Sequence, residues 1–588
     1  LLKTERFRHV SRDVIDDSLA TAGKIAKEKF LSHNRKNDLQ EPEWDGKGSV
    51  KIIPEVKEAI EAFKDCGLYS AHATFEDGGM QMPSVITNSL LLPFYAGNVS
   101  TTTFAFLTIA AGNMLRAVGT AEQRSKYLTP MLEGRYTGTM NLSEPQAGSS
   151  LADIRTRAVP MGDGKYFKIK GTKMWISGGE HDISENIVHM VLAKVFDPDD
   201  PSRNQSGVKG ISLFIVPKKR VNEGNPNNDI SLIGLNHKMG WRGVTNCVLS
   251  YGENDECVGE LLGKEGEGLA TMFLMMNEAR ITIGIIATAL GYAGYAQSLK
   301  YARERHQGRI SKTSPDQVAI INHADVKRML LAQKCYVEGA MALCLYGSFL
   351  VDKISCATAS ETEVEDDSLL LDLLTPVIKS WPSEWCLEAN KWSLQIHGGY
   401  GYTRDYAPEQ TYRDNRLNMI HEGTNGIQSL DLLGRKVHLQ NGRGIDLLCK
   451  RVEETIKIAN EIGKKTYLSN LEKHAEALAD ATTRLQRTTS VLKKAGENDP
   501  ALMLCNSHEY LNMFGHTVVA WFWLKLESAA TLALFESNTC MEEELNLLKG
   551  QLLSSQYYYT YELPKTIQQA DALISLDNTN LQMRDEYF

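Results

Sequence analysis

Several features that would place a chain quickly are missing from this one. Its ten cysteines are scattered and no two of them form a Cys-x-x-Cys pair, which argues for reduced thiols and against a disulfide framework or a zinc site. No Gly-x-Gly-x-x-Gly or Walker loop lies between a predicted strand and a helix. If the protein binds a nucleotide cofactor, it does so by another route. We expect no metal site, and a cytoplasmic location.

Long, clean apolar runs are missing too. Ile281–Ala296 has only 16 residues and includes three glycines, and Val518–Phe535 is interrupted by Lys525 and Glu527. Both runs predict buried helices and not membrane spans, which need about 20 apolar residues. The chain begins at Leu1 and not at methionine, so we expect the natural N-terminus to lie upstream, which leaves a cleaved targeting peptide open.

An excess of positive charge is absent as well. The 588 residues carry 64 basic and 73 acidic side chains, a net charge of −9. Residues 441–588 have a similar balance, with 15 basic and 20 acidic side chains and a net charge of −5. Binding to the phosphate backbone of a nucleic acid depends on clustered lysine and arginine. We therefore expect no nucleic-acid partner and no membrane partner.

The pattern of apolar and polar residues changes along the chain, which predicts a multidomain α+β protein. Residues 1–135 are helical in pattern, residues 136–262 contain short β-like runs between turns, and residues 263–440 return to helical periodicity. A further helical domain covers residues 450–588. Strands and helices do not alternate, so a doubly wound parallel sheet is disfavoured.

Two smaller segments carry predictions of their own. Five acidic residues in Ser360–Asp367 predict a solvated loop, with a docking patch as the less favoured alternative. Leucines recur every seven residues at Leu471, Leu478, Leu485 and Leu492. Such a repeat predicts a helix packed along its length, in a bundle within the chain rather than in a coiled coil between chains.

Two loop segments contain residues suited to binding a polar ring or a phosphate. Asn141–Ser150 combines small residues, hydroxyls and free backbone amides, although a strand-ending turn is the simpler interpretation. Lys173–Gly179 places Trp175 two residues before Ser177. An aromatic ligand could be stacked and hydrogen-bonded there, whereas a tryptophan is more often part of a core.

A third group of segments holds a candidate base. Gln395–Thr403 contains a Gly-Gly-x-Gly run, which admits close approach of a bulky ligand, and Ile420–Gly426 follows it. Glu422 lies beside glycine in an apolar setting, where a carboxylate with a raised pKa could act as a general base. A zinc protease is ruled out, because His421-Glu422 would need a histidine in place of Asn425.

Taken together and in this order, these segments resemble the acyl-CoA dehydrogenase family over residues 1–440. The likeness is carried by Ser143–Ser149, Trp175–Ser177, Arg280, Tyr301–Arg305 and Ile396–Gln428. Within the family, the chain length and the additional C-terminal helical domain are most similar to the 3-methylmercaptopropionyl-CoA dehydrogenase subgroup.

The resemblance implies an FAD enzyme with a helical N-terminal domain, a middle β-barrel-like domain and a helical bundle that carries the base. It also implies a set of residues that bind the cofactor, namely Leu142, Ser143, Trp175, Ser177, Arg305, Gln395, Gly399 and Thr424. By the same resemblance, the acyl-CoA substrate contacts Ser149, Arg280, His421 and Gly423.

In the mechanism that the resemblance implies, Glu422 removes the α-proton of an acyl-CoA thioester while Arg280 places the base. The β-hydrogen leaves as hydride to the flavin, and the product is a trans-2-enoyl-CoA. Some relatives carry the base immediately before the arginine, but Ala279 stands there, and Glu278 is kept as a less favoured rival. His421 replaces a frequent tyrosine, which could couple a second titrating group to the base.

Three alternatives stay open. An acyl-CoA oxidase would use the same base and pass electrons to oxygen. A flavin-bearing relative could bind DNA, which the acidic C-terminal domain disfavours, and a relative without catalysis is disfavoured by the presence of Glu422 and Arg280. The resemblance further implies an electron-transferring flavoprotein as the acceptor and a homodimer as the assembly. As substrates, 3-methylmercaptopropionyl-CoA and short- or medium-chain acyl-CoA thioesters both fit.

Overall fold

The computed structural model describes residues 1–48, 50–221, 224–313, 315–356, 360–466, 470–536 and 541–588, with residues 273–276 described by their backbone alone. The chain divides into a first unit, Leu1–Ala279, and a second unit, Arg280–Phe588.

The N-terminal part of the first unit is helical, as the sequence predicts. Its helices are α1 (Arg12–Ile25), α2 (Asn34–Leu39), α3 (Pro54–Asp65), α4 (Ser84–Val118), α5 (Ala121–Gln123) and α6 (Thr129–Leu132). Helix α3 begins with Pro54, whose missing N–H is no loss in the first turn of a helix. It buries Val56, Ile60 and Phe63 on one face, with the spacing of an amphipathic helix.

The rest of the first unit is a sheet that closes on itself. A short ribbon of β1 (Glu43–Trp44) and β2 (Val50–Lys51) stands apart from it. The sheet contains β3 (Tyr136–Asn141), β4 (Arg157–Pro160), β5 (Tyr166–Ser177), β6 (Asn186–Val195), β7 (Ile211–Pro217), β8 (Ile230–Leu235), β9 (Asn246–Tyr251) and β10 (Val258–Leu262). Strand β10 pairs with both β7 and β5, so that β10, β7, β6, β4 and β5 form a ring. This confirms the predicted barrel-like middle domain.

Strand β6 shows why the ring has two hydrophobic sides. Successive side chains of a strand point to opposite faces. Val188 and Met190 pack into a cluster with residues of α4, whereas Val191 and Ala193 pack into a second cluster that includes Phe167. Both faces of β6 are therefore covered, and the strand is buried along nearly its whole length.

The second unit is helical in its described secondary structure, apart from an isolated β-bridge between His306 and Ala319. Helix α7 (Gly268–Glu304) begins in the first unit and continues into the second. It is followed by α8 (Ala324–Ser355), α9 (Glu361–His397), α10 (Pro408–Arg416), α11 (Asn425–Gly434), α12 (Arg443–Thr466), α13 (Leu471–Gly496), α14 (Pro500–Leu504), α15 (Ser507–Glu536), α16 (Glu542–Tyr557), α17 (Lys565–Ile574) and α18 (Thr579–Gln582).

The C-terminal helices form a bundle around α15. That helix packs against α12, α13, α16 and α17, and it also packs against α8, α9 and α11. The four heptad leucines of α13 are all buried, which confirms the prediction of a bundle within the chain. Polar bonds reinforce the contact with earlier helices: the Tyr336 hydroxyl donates to Glu562 at 3.0 Å, and the hydroxyls of Ser429 and Ser507 lie 3.0 Å apart.

The acidic segment Ser360–Asp367 is not a loop, so that prediction was wrong. Helix α9 begins at Glu361, and Ser360 and Glu363 form a reciprocal capping box at its first turn. Asp367 is buried and pairs with Lys353 at 2.5 Å. Carboxylates are stabilising near the N-terminus of a helix, where the macrodipole is positive, so a run of acidic residues can begin a helix.

Among the described residues, three helices are long and apolar enough to cross a membrane by length and composition, contrary to the sequence-based expectation. They are Ser84–Val118, Ala324–Ser355 and Ser507–Glu536. In their most apolar windows 78%, 61% and 61% of the residues are buried inside the protein. The sequence analysis underestimated these runs because polar residues interrupt them. Their apolar windows pack against neighbouring helices and, for Ser84–Val118, also against β3.

Candidate active site

A buried ion pair fixes the position of the segment Asn141–Ser150. The Nζ atom of Lys173 lies 2.9 Å from Glu144 Oε1 and donates to the carbonyl oxygen of Leu142, also at 2.9 Å. Both charged side chains are almost completely buried. The backbone N–H of Met174 donates to the carbonyl of Ser143 at 3.0 Å. The two predicted cofactor residues Leu142 and Ser143 are therefore fixed by strand β5 beside them.

Glu144 has more partners than Lys173 alone. It also accepts hydrogen bonds from the backbone N–H groups of Arg155 and Thr156 and from the Thr156 hydroxyl. Burial would raise the pKa of Glu144, but the charge of Lys173 and the hydrogen bond from Thr156 outweigh it and lower that pKa to about 2. Burial lowers the pKa of Lys173 to about 8, against the charge of Glu144. At neutral pH both groups are charged.

Trp175 provides the open aromatic surface of the first unit. The pairing of β5 with β9 shifts register between Lys173 and Ile176, and Trp175 lies at this irregularity with φ +66°. Left-handed backbone is uncommon for a bulky residue and marks a special position. The indole is 57% exposed, whereas most tryptophans are buried in cores. An exposed indole beside the half-buried Ser177 hydroxyl fits a flat, polar ring system such as the isoalloxazine of FAD.

Ser177 and Ser149 differ in how they are held. The Ser177 hydroxyl accepts a hydrogen bond from Asn246 Nδ2 at 3.3 Å, which fixes its position at the end of β5. Ser149 lies in the exposed part of the loop, next to Ser150, whose hydroxyl donates to Asp153. The structure brings Leu142, Ser143, Trp175 and Ser177 into one strand region of the first unit, and it leaves Ser149 on the surface.

Glu422 lies in a strained loop of the second unit. It has φ +53° and is followed by Gly423 with φ +84°. A left-handed glutamate is strained by about 1 kcal/mol or more and persists only where its surroundings enforce it. Gln428 enforces it here, since its Nε2 donates to the carbonyls of Glu422 at 3.1 Å and Gly423 at 3.4 Å. Thr424 caps α11, because its hydroxyl accepts from the backbone N–H of Ile427 at 3.2 Å.

Arg280 and Asp431 form an ion pair in the same unit as this loop. The distance from Arg280 Nη1 to Asp431 Oδ2 is 2.6 Å, and both side chains are nearly buried. Asp431 also accepts from Arg435 Nε at 2.7 Å. Burial would raise the pKa of Asp431, but the hydrogen bond from Arg435 and the charge of Arg280 lower it. Arg280, which lies within α7, is therefore a cation held in place by Asp431 of α11.

The rival base Glu278 has a structural environment of its own in the first unit. Its Oε2 accepts from Asn113 Nδ2 at 2.9 Å, and Arg116 donates to the same asparagine at 3.0 Å. The charge of Glu278 acts on the pKa of both His72 and Arg116 and raises each of them against the burial that lowers them. These contacts give Glu278 a role in binding the N-terminal helices together.

Two positive groups act on Glu422 within the second unit. Glu422 is exposed as a residue, yet neighbouring protein atoms still partly desolvate its carboxylate, and this desolvation raises its pKa. The charges of Lys379 and Arg280 act in the opposite direction. His421 does not add a titrating group near neutral pH, because burial and the charge of Lys379 lower its pKa to about 3. Its Nε2 lies 3.0 Å from Asn418 Oδ1.

The remaining predicted cofactor residues lie on an exposed surface of the second unit. Tyr301 stacks on His397 with ring centroids 4.3 Å apart, and the Arg305 guanidinium lies 5.9 Å from the ring of Tyr400. Gln395 and Gly399 are exposed on the same stretch. A cation beside aromatic rings and an exposed glycine suits an anionic, flat ligand such as the adenosine diphosphate part of FAD.

Apart from Ser149, the predicted site residues fall into three groups: one just after β3 and on β5, one around Glu422, and one around Arg305. The sequence analysis missed Lys173 and Glu144 as a pair, and it missed Lys379, Gln428 and Asp431 altogether. A lysine or an aspartate inside an amphipathic helix is usually solvated, so their sequence context gives no signal. Among the described residues, no three metal-ligating side chains come close enough to hold an ion.

Four family models match nearly the whole chain. The acyl-CoA dehydrogenase N-terminal domain matches residues 26–135, the middle domain residues 139–252, and the C-terminal domain residues 266–437. A fourth model, "acetyl-CoA dehydrogenase C-terminal like", matches residues 448–584.

Individual relatives agree with these matches. The 3-methylmercaptopropionyl-CoA dehydrogenase of Ruegeria pomeroyi is 36% identical over 475 residues, which cover 80% of this chain and 78% of that protein. A butyryl-CoA dehydrogenase of Syntrophomonas wolfei is 29% identical over 591 residues, covering 98% and 94%. In fold, the chain is similar to an acyl-CoA dehydrogenase of Bacillus anthracis solved with FAD, with a TM-score of 0.75, 19% identity, and 98% and 90% of the two chains covered.

The chain belongs to the acyl-CoA dehydrogenase family. It is an FAD-dependent oxidoreductase that acts on the CH–CH bond of an acyl-CoA thioester. The predicted family and fold are thereby confirmed, including the additional C-terminal helical domain. The individual site residues stay predictions, now with the geometry described above.

Proposed function

We propose that the protein converts an acyl-CoA thioester to the trans-2-enoyl-CoA with Glu422 as the catalytic base. The observation that carries this proposal is the strained, buttressed loop: Gln428 holds Glu422 in left-handed backbone while Lys379 and Arg280 lie within electrostatic reach of its carboxylate. Strain of this kind is retained where a side chain must be aimed.

The chemistry of the first step suits these residues. The α-proton of a thioester is weakly acidic, so its removal needs both a base and stabilisation of the negative charge that develops on the thioester oxygen. Glu422 accepts the proton, and a backbone N–H of its own loop polarises the thioester carbonyl. Closure of the acyl chain over the base excludes water, which brings the pKa of Glu422 closer to that of the activated substrate. FAD, when bound, supplies the acceptor for the β-hydrogen.

As substrate we propose 3-methylmercaptopropionyl-CoA, with short- and medium-chain acyl-CoA thioesters as the alternative class. The preference follows the relative from Ruegeria pomeroyi, and the alternative follows the one from Syntrophomonas wolfei, which is named for butyryl-CoA. Both acyl chains are short and apolar, so a pocket of one size accommodates either.

The test is an anaerobic titration of the FAD-loaded protein with 3-methylmercaptopropionyl-, butyryl-, octanoyl- and palmitoyl-CoA. We expect loss of the oxidised flavin absorbance with the first two, and the ratio of their kcat/KM values ranks them. Reduction by palmitoyl-CoA alone would overturn the substrate proposal. A protein that binds FAD and is reduced by none of the four would contradict the assignment to this substrate class.

We further propose that an electron-transferring flavoprotein reoxidises the enzyme and that the protein is a homodimer. Both follow from the family. An acyl-CoA oxidase would differ in one measurable respect, since oxygen would reoxidise its reduced flavin rapidly. Turnover with an electron-transferring flavoprotein under argon, set against hydrogen peroxide production in air, separates the two, and light scattering gives the assembly.

We expect Arg305→Ala to weaken the binding of FAD more than it affects chemistry. Arg305 is exposed beside Tyr400, and loss of a charge-assisted contact to a phosphate raises a dissociation constant by roughly 10- to 100-fold. The measurement is the FAD dissociation constant from flavin fluorescence. Arg584→Ala, which removes an exposed arginine elsewhere in the second unit, is the control and should change nothing. An unchanged FAD affinity in Arg305→Ala would show that the pyrophosphate lies elsewhere.

A further inference from the structure

A fully buried lysine lies next to the base loop. Lys379 is in the middle of α9 and has no exposed surface. Its Nζ donates to Asn425 Oδ1 at 3.0 Å. Asn425 is the first residue of α11 and comes three positions after Glu422. The ammonium group is thus hydrogen-bonded to the side chain of a residue three positions from the base.

The position of this cation is costly for the fold. Transfer of an ammonium group from water into a protein interior is unfavourable unless a charge or strong hydrogen bonds compensate it. The hydrogen-bond partner of Lys379 is a neutral amide, and that amide oxygen already accepts from the Ser383 hydroxyl at 3.1 Å. A methionine at position 379 would therefore fill the same space, and the Asn425 oxygen would still accept a hydrogen bond from the Ser383 hydroxyl. A purely structural role gives no reason for a lysine here.

The charges that face Lys379 come from three elements. Glu422 in the base loop and Glu384 on α9 are negative, and Arg280 on α7 is positive. His421, next to the base, is neutral near pH 7. Arg280 is bound by Asp431, whereas Glu384 accepts a hydrogen bond from Asn425 Nδ2 at 3.2 Å. Arg280 is thus paired with a carboxylate of its own, whereas Lys379, whose charge is the larger of the two that act on Glu422, has a neutral amide as its hydrogen-bond partner.

We propose that Lys379 is a positioning residue for Glu422: it anchors the base loop through Asn425, and its charge favours the ionised, proton-accepting form of the carboxylate. This inference rests on the proposed role of Glu422 as base and adds to it. A base in a partly desolvated setting is otherwise protonated too readily to accept a proton. Burial lowers the pKa of Lys379 to about 7, and the charge of Glu422 acts in the opposite direction.

The test is the pH dependence of kcat/KM for the FAD-loaded enzyme with its best acyl-CoA, since the acidic limb reports the base of the free enzyme. In Lys379→Met the carboxylate loses a neighbouring cation. We therefore expect the acidic limb to move to higher pH by about one unit, which lowers kcat/KM on that limb about tenfold. Lys379→Gln, which is also neutral but can still donate to Asn425, should show the same shift with a smaller loss of kcat.

Two controls separate this role from a structural one. Lys379→Arg keeps the charge and should leave the acidic limb near its original pH. Lys391→Met makes the same chemical change at an exposed site of α9 and should alter neither the limb nor the rate. Thermal unfolding of the FAD-free protein should not show a lower midpoint for Lys379→Met, because a buried charge has been removed.

Each outcome bears on the proposal. An acidic limb that stays in place in both neutral variants overturns it, even if activity falls. A lowered unfolding midpoint together with an unmoved limb would assign Lys379 to packing. The Glu422→Gln variant tests the proposed function separately. If it retains turnover, Glu422 is not the base. If it is inactive and the acidic limb of Lys379→Met does not move, only the role of the lysine is disproved.

Discussion

Replacing Glu422 by glutamine is expected to leave a yellow, FAD-loaded protein that acyl-CoA no longer reduces. The amide has nearly the shape of the carboxylate, so the left-handed loop and its bonds to Gln428 should persist. It cannot accept a proton, however, and loss of a general base lowers a rate by roughly 100- to 10,000-fold. The measurement is the rate of flavin reduction in anaerobic stopped flow.

Substrate affinity provides the internal check for this variant. Loss of a group that acts only in the transition state lowers kcat with little change in ground-state binding. The acyl-CoA dissociation constant of Glu422→Gln should thus stay within about threefold of the original protein. Glu461→Gln, an exposed glutamate of α12, is the matched control. If acyl-CoA still reduced the flavin of Glu422→Gln fully, another group would have to be the base, and Glu278 would be the first to examine.

The second large effect is expected in the first unit, at the buried pair of Lys173 and Glu144. Lys173→Met leaves an uncompensated carboxylate in the interior. Breaking a buried ion pair on one side typically costs 3–5 kcal/mol, and we expect about 3 kcal/mol here because Arg155 and Thr156 still donate to Glu144. Urea unfolding of the FAD-free protein, followed by tryptophan fluorescence, gives the change in the free energy of unfolding.

The double variant Lys173→Met, Glu144→Gln should recover most of the stability, since no buried charge is left unpaired. Lys170→Met removes an exposed lysine from the same strand and should cost little. The pair also predicts a pH dependence. Because the pKa of Glu144 is lowered to about 2 in the folded protein, its contribution is complete above the ordinary range of a glutamate and is lost as the pH falls from about 4.5 towards 2. Stability that is equal in the original protein and Lys173→Met would contradict this account.

Loss of this pair should also affect FAD. Lys173 binds the carbonyl of Leu142, so its removal frees the strand end that carries Ser143. A weaker FAD affinity in Lys173→Met, but not in Lys170→Met, would connect the ion pair to the cofactor surface as well as to stability.

The barrel strands could be predicted from local sequence, and Glu422 could be proposed as the base from it, because each inference depends on neighbours in the chain. Nearly continuous apolar runs in β6 and β7 predict strands that are buried on both faces. Glu422 is recognisable because glycine follows it within a short segment. The acidic start of α9 could have been predicted too, since Ser360 and Glu363 have capping-box spacing, but the density of charge was interpreted as a loop.

The electrostatic partners of the base could not be predicted in this way. Lys379 meets Asn425 across 46 positions and Arg280 meets Asp431 across 151, and nothing in either local sequence indicates the other. An isolated lysine in an amphipathic helix is ordinarily expected in solvent, with its stem along the surface. Only the packing of α9 against α11 reveals that this one is enclosed.

The packing of α15 against α8, α9 and α11 has a consequence for how the second unit melts. Trp381 of α9 is 2% exposed, and its indole N–H donates to His516 of α15 while its ring contacts Tyr558. A chain truncated near residue 440 would expose this tryptophan and the adjoining side of α11 to water. We therefore expect the C-terminal helices to unfold in one transition with α8, α9 and α11, so that a melting curve of the second unit should show a single step.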